Sequence, residues 1–286
     1  MTASPFRYRP QLSEASASLT HDVEVVDERG RRSTIAIPAE RPLTVYVDKR
    51  ELVTLMTLGG APEALTLGYL RNQRLVRSIS DVVSVQVDWS VDSVAVVTRN
   101  GIADVEERTS KKVVTTGCGQ GSVFGGLMDD IDKIALPPDA RLAQSTIYRI
   151  VETIRTQQSI YKQAGSVHGC ALFTKAGELL YFIEDVGRHN AVDAIAGRMW
   201  LDQLEGGDKV FYTTGRLTSE MVIKGAQMGI PFLLSRSGTT QMGHMVAEKV
   251  GMTLLARCTG KHFLLLTRHG SIDFEPQLLE AAPRIA

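Results

Sequence analysis

The sequence predicts an α/β protein: a mixed-sheet, layered C-terminal domain preceded by a smaller α+β domain. Three observations carry this prediction. Beyond Pro138, strand-like and helix-like segments alternate, the signature of an α/β layer architecture. Between Arg41 and Thr98, strand signals cluster around one helical pattern. The two patterns are separated by an aperiodic, glycine-rich stretch from Thr115 to Ser122, followed by Pro137-Pro138-Asp139. A length of 286 residues agrees with two domains.

Residues 1–40 read as a flexible arm. Ser, Thr, Arg and Asp dominate it, and Val23 to Val26 suggests at most an edge strand. The small α+β domain, residues 41–137, opens where Leu43, Val45 and Val47 alternate with Thr44 and Tyr46. Asp48-Lys49-Arg50 turns the chain, and Leu52 to Leu58 returns it. Pro62-Glu63 starts a helix with Leu65, Leu67, Tyr69 and Leu70, and strands follow at Val82 to Val87 and Val94 to Val97. In residues 138–286, a helix from Ala140 to Tyr161 places Ile147, Ile150, Val151 and Ile154 on one face. Ala171 to Thr174 and Leu179 to Ile183 flank Ala176-Gly177 as a hairpin. Helices from about Asn190, Thr218 and Gln241 then alternate with strands at Val210 to Thr213, Phe232 to Leu234 and Thr253 to Ala256. Phe263 to Thr267 is the last strand.

Composition excludes several function classes. Hydrophobic residues make up 43% and charged residues 22% of the chain, which is globular rather than disordered. Lys+Arg 32 balance Asp+Glu 32, so no net basic field points to nucleic acid or an anionic membrane. No apolar run approaches the roughly 18 residues of a membrane span. Met1 to Thr20 lacks the apolar stretch of a signal peptide. Cys118, Cys170 and Cys258 are too few and too scattered for a disulfide scaffold and fit a reducing cytoplasm.

Cys118 is the first candidate for chemistry. Glycines on both sides allow a loop with successive N–H groups turned to one point, and Lys111 and Lys112 add positive potential. Such surroundings favour a nucleophilic thiolate. Cys170 and Cys258 lie at apolar, strand-like positions and read as core. Glu184-Asp185-Val186-Gly187-Arg188-His189-Asn190 follows a strand and opens a helix, where anions bind. The same run also fits plain capping by Asn190 with a surface ion pair between Asp185 and Arg188, and Asp193 suits the helix dipole. Thr213-Thr214-Gly215-Arg216-Leu217-Thr218-Ser219 and Ser235-Arg236-Ser237-Gly238-Thr239-Thr240 repeat this arrangement at the next two strand–helix junctions. Three arginine-bearing junctions in one α/β layer point to a phosphate-bearing ligand at the carboxyl ends of the strands. Arg257-Cys258-Thr259-Gly260-Lys261-His262 links two late strands and reads by itself as a turn with solvated charges.

Other chemistries lack their residues. Gly119 to Gly125 spells G-x-G-x-x-x-G, one residue off the dinucleotide fingerprint, with neither the strand before it nor the acid after it. Zinc deaminases need H-x-E and P-C-x-x-C, whereas His168-Gly169-Cys170 lacks the Glu and no C-x-x-C occurs. A G-x-S-x-G elbow is absent as well. No protein-ligated metal is expected.

Taken in order, Pro42-Leu43-Thr44-Val45, Leu67-Gly68-Tyr69-Leu70, Thr116-Gly117-Cys118-Gly119, the run Glu184 to Asp193, Gly215-Arg216, Gly229-Ile230-Pro231 and Gly251-Met252-Thr253-Leu254 resemble the formate dehydrogenase accessory sulfurtransferase family, FdhD/NarQ. The resemblance implies a cytoplasmic homodimer with a cytidine-deaminase-like core that lacks zinc. It implies a sulfur carrier that takes persulfide sulfur from a cysteine desulfurase. The sulfur goes to the Mo-bis(molybdopterin guanine dinucleotide) cofactor of formate dehydrogenase, and GDP should mimic part of that cofactor. The persulfide position falls on Cys118, and the family's cofactor run on Arg257, Cys258, Thr259, Gly260, Lys261 and His262. Gly187, Arg188, His189, Gly215, Arg216 and Ser235 complete the expected cofactor contacts. Many members carry C-x-x-C in the loop, but here Gly121 takes the second position, so no loop disulfide can form. One thiolate still suffices to accept and pass on sulfane sulfur. The missing thiol also suits a second reading, a cofactor-holding chaperone without covalent sulfur chemistry.

Overall fold

The computed structural model describes residues 8–102 and 131–280. In chain order its elements are β1 (Gln11–Leu12), β2 (Thr20–Val26), β3 (Arg32–Pro38), β4 (Arg41–Val47), β5 (Arg50–Thr57), α1 (Pro62–Asn72), β6 (Val82–Asp88), β7 (Ser93–Thr98), β8 (Leu142–Ala143), α2 (Gln144–Thr156), α3 (Ile160–Ala164), β9 (His168–Thr174), β10 (Leu179–Asp185), α4 (Arg188–Leu201), β11 (Lys209–Thr213), α5 (Ser219–Gln227), β12 (Phe232–Ser235), α6 (Gln241–Val250), β13 (Thr253–Thr259), β14 (His262–Leu265), β15 (Ile272–Asp273) and α7 (Gln277–Glu280). They gather into two units, which do not divide at one boundary near Pro137. Residues 8–102 join Ser159–Cys170 and Ile183–Leu204, while residues 131–158 join Ala171–Phe182 and residues 205–280. No helix among the described residues is long and apolar enough to cross a membrane.

The first unit is built on a five-stranded mixed sheet, order β1-β6-β7-β4-β5. Its residues alternate as the sequence demands: Leu43, Val45 and Val47 of β4 are buried, and so are Val53, Leu55 and Thr57 of β5. Asp48 and Lys49 join these strands with φ of 48° and 72°, the left-handed pair a two-residue hairpin needs. The stretch expected as a flexible arm holds strands instead. β1 runs parallel to β6, and β2 pairs with β3 in unbroken register from Thr20 opposite Pro38 to Val26 opposite Arg32.

Two helices of this unit, α1 and α4, are buried nearly all round. They cross where glycines let the backbones touch. A Cβ on Gly68 would lie 1.6 Å from the Asp193 carbonyl oxygen, and one on Gly197 would lie 1.9 Å from that of Ala64. At the same crossing Asn72 Nδ2 donates to the buried Asp193 carboxylate (2.6 Å), so Asp193 is an interhelical contact rather than a solvated partner of the helix dipole.

The second unit centres on the parallel strands β11, β12 and β13 within the six-stranded sheet β10-β9-β11-β12-β13-β14. β11 and β12 are buried along their whole length, which explains their continuous apolar runs. α5 connects β11 to β12 and α6 connects β12 to β13, giving two successive βαβ units. The expected long helix from Ala140 to Tyr161 is two helices, because Ser159 starts a new one by accepting a hydrogen bond from the Lys162 N–H (3.1 Å).

Candidate functional site

In the second unit, the carboxyl ends of β11, β12 and β13 are laced into one rim. Arg236 N donates to Thr213 O (3.1 Å), and Arg257 N donates to Ser237 O (2.8 Å). Ser235 Oγ donates to Gly215 O (2.6 Å) and accepts from Ser237 N (2.9 Å). Gly215 N in turn donates to Thr213 Oγ1 (3.1 Å). The sequence expectation placed Ser235 among the ligands, but it is fully buried with its hydroxyl spent on main chain, so it is a strut.

This lacing holds three exposed arginines, Arg216, Arg236 and Arg257, at the ends of three adjacent strands spaced roughly 4.8 Å apart. Arg257 sits at the register shift of β13 with φ 53°, and its side chain is exposed between the buried Ala256 and Cys258. Next to Arg216, Thr218 caps α5 without a side-chain hydrogen bond, and its buried Oγ1 has no partner among the described residues. Exposed arginines following three adjacent strands suit a polyanion such as a diphosphate. Sequence reasoning did not count Arg236 and Thr218 among the site residues, although both lie in the two junction runs it singled out.

The run from Arg257 to His262 divides by side-chain direction. Thr259, Gly260, Lys261 and His262 form the exposed β13–β14 turn, with Gly260 at φ 55°. Cys258 points the other way, into the core with Tyr212, Phe232 and Leu255, and is 1% exposed. As a side-chain contact to a cofactor, Cys258 is therefore misplaced. Desolvation pushes its thiol up to about 12, against an opposing hydrogen bond from the Ser235 main chain. Cys170 is fully buried too. Both thiols should resist iodoacetamide at pH 8 in the folded protein and react once it is unfolded in urea. Mass spectrometry showing alkylation of native Cys258 would contradict this burial.

In the first unit, the Glu184 to Asn190 run is arranged around a carboxylate. Asp185 makes no ion pair with Arg188. It is buried and accepts four hydrogen bonds, from Thr57 Oγ1 (2.5 Å), Leu58 N (3.1 Å), Gly187 N (3.0 Å) and Asn190 Nδ2 (2.9 Å). Asn190 is not the N-cap; Gly187 is, and Asn190 also donates to Met56 O (2.6 Å). Glu184 caps α3 by accepting from Ile160 N (2.5 Å) and Tyr161 N (3.1 Å). Arg188 and His189 are buried in the first turn of α4. Cys118 lies outside the described residues.

Comparison with known proteins adds the following. Residues 38–273 match the FdhD/NarQ family. The "Sulfur carrier protein FdhD" of Saccharolobus solfataricus is 32% identical over 251 residues, covering 86% of this chain and 94% of its own. The protein of that name from Listeria innocua is 31% identical, covering 79% and 87%. A solved formate dehydrogenase accessory protein from Desulfotalea psychrophila superposes with a TM-score of 0.70 at 24% identity, covering 89% of this chain and 98% of that one. It shares the mixed α/β fold.

Proposed function

The chain belongs to the FdhD/NarQ family, and from that premise we propose that it is a sulfur carrier for formate dehydrogenase, working through a persulfide on Cys118. The observation that carries the reading is the arginine rim of the second unit, which matches the phosphates of a guanine dinucleotide cofactor. Cys118 thiolate attacks the terminal sulfur of a cysteine desulfurase persulfide, breaking that S–S bond and releasing the desulfurase thiolate. The Cys118 S–S bond then breaks, the outer sulfur passes to the reduced metal centre of the Mo-bis(molybdopterin guanine dinucleotide) substrate, which gives up the two electrons that convert sulfane sulfur to sulfide, and Cys118 leaves as the thiolate. With Cys170 and Cys258 buried, neither is a second acceptor. The proposal includes the cytoplasm as the place of action, a homodimer, and a cytidine-deaminase-like core serving as a nucleotide platform without zinc.

The test is mass spectrometry after incubation with a cysteine desulfurase and cysteine. Wild type should gain one sulfur on the Cys118 peptide, and Cys118→Ala should gain none and should fail to mature formate dehydrogenase. An alanine variant that still matures the enzyme would replace the carrier reading by the chaperone one. The rim is tested separately with GDP. Arg216→Gln and Arg257→Gln should each weaken its binding by about 1.5–3 kcal/mol, the worth of a charge-assisted hydrogen bond. Unchanged affinity in calorimetry would remove these arginines from the site.

A further inference from the structure

The chain holds three asparagines, and one of them differs from the other two in the surroundings of its amide. Asn72 and Asn190 are buried in helices and precede Gln73 and Ala191. Asn72 Nδ2 donates to Asp193 (2.6 Å), and Asn190 Nδ2 donates to Met56 O (2.6 Å) and Asp185 (2.9 Å). Asn100 is exposed, lies outside any strand or helix and precedes Gly101. The chain is fixed up to the residue before it. Thr98 N and Oγ1 both donate to the Asp48 carboxylate (2.9 and 2.6 Å), and Arg99 N donates to Asp81 O (2.8 Å). Neither the Asn100 side chain nor the Gly101 N–H has a hydrogen-bond partner among the described residues. Gly101 has φ 71°, and a Cβ built on it would meet nothing within 4 Å. A main-chain nitrogen with no Cβ beside it and no hydrogen bond can approach the carboxamide carbon of the residue before it.

From these facts we propose that Asn100-Gly101 is a self-modifying site at which the carboxamide is converted to a carboxylate. Gly101 N gives up its proton to a solvent base and attacks Asn100 Cγ. The new N–C bond closes a succinimide ring, and the side-chain nitrogen leaves as ammonia. Water then opens the ring at either carbonyl, giving aspartate, or isoaspartate with the main chain routed through the side-chain carbon. No electrons are exchanged, and water is the only co-reactant. Each event replaces a neutral amide by a carboxylate, so the chain goes from a formal net charge of zero to a single negative charge. The charge arrives one residue from Arg99, whose guanidinium lies 5.1 Å from the Tyr8 ring centroid and donates to Ser80 O (2.7 Å). The site belongs to the first unit and rests on neither Cys118 nor the arginine rim.

The experiment holds the full chain in warm, mildly alkaline buffer and samples it over days. Digestion is by pepsin in acid, so that no further conversion occurs during handling. Mass spectrometry reads each asparagine peptide, and isoelectric focusing reads the intact chain. The Asn100 peptide should gain about one mass unit, partly as isoaspartate, about tenfold faster or more than the Asn72 and Asn190 peptides. A more acidic band should appear at the same rate. Gly101→Ala, which puts a methyl group beside the attacking nitrogen, should slow the conversion by about tenfold. Asn100→Gln, where attack would have to close a larger ring, should stay a single band. A parallel sample in urea gives the rate of the pair without the fold. If Asn100 converts in urea but not in the folded chain, the anchors at Arg99 and at Ile102, which packs against the core, hold the pair out of reach and the proposal fails. It fails equally if Asn100 converts no faster than the two buried asparagines or if no isoaspartate forms. A Gly101→Ala chain that converts as fast as wild type would make the reaction direct hydrolysis of the amide and would also overturn it.

Discussion

Gly68→Ala is expected to abolish the folded state of the first unit. The added Cβ would stand 1.6 Å from the Asp193 carbonyl oxygen, and in Gly197→Ala it would stand 1.9 Å from the Ala64 oxygen. Both obstacles are backbone atoms, so no side chain can rotate away, and α1 and α4 must separate along a crossing that is buried on every side. Overpacking of a well-filled core costs about 1–3 kcal/mol when side chains can adjust, and the cost here should exceed that range. The separation would also pull Asn72 from Asp193, exposing a buried carboxylate to the loss of a donor. Urea denaturation followed by circular dichroism measures the effect. Gly238→Ala is the control, because a Cβ there meets nothing within 4 Å, and it should be near neutral. A Gly68→Ala protein within about 1 kcal/mol of wild type would mean that the two helices are not packed at this distance.

The second large effect is expected at Asp185. Asn can accept through one oxygen only, and its amide nitrogen would face two donors, so two of the four hydrogen bonds are lost and their donors stay buried. Hydrogen bonds to a charged group are worth about 1.5–3 kcal/mol each, and Asp185→Asn should cost about 2–4 kcal/mol at neutral pH after partial relaxation. The penalty should vary with pH. Burial pushes the Asp185 carboxyl above its ordinary range, with the hydrogen bonds from Thr57, Gly187, Asn190 and Leu58 acting in the opposite direction. A carboxyl whose folded value lies above the unfolded one contributes stability that is full below the unfolded value of 3.8 and is lost as pH rises through the folded value. The Asn variant lacks this contribution, so the gap between wild type and variant should be wider near pH 4 than at pH 7. Parallel denaturation series at the two pH values test this, and a gap that widens toward neutrality would show that the four donors outweigh burial.

Much of the second unit was legible along the chain. Buried parallel strands need continuous apolar runs and amphipathic connecting helices need period-3.6 patterns, and both are local properties that Val210 to Thr213, Phe232 to Leu234 and Gln241 to Val250 display. The arginine at each strand end was visible for the same reason, since strand, turn and helix start follow one another within a few residues. Burial was less legible. Ser235 was expected among the ligands from its place at a strand end, but it is fully buried with its hydroxyl bonded to Gly215 O and Ser237 N, a partnership no local pattern announces.

By itself the sequence determined the α/β class, the positions of most strands and helices, and the arginine-bearing junctions between them. It also carried the motifs by which the family was identified. The tertiary structure alone decided what those residues do. Asp185 reads as a partner for Arg188 three positions away, yet its partners include Thr57 and Leu58, more than a hundred residues earlier. Nothing in its own segment marks Gly68 as the point of closest approach until Asp193 is brought against it. Local pattern reports what one segment prefers. Which carboxylate is satisfied depends on donors brought in from distant segments by the folded chain.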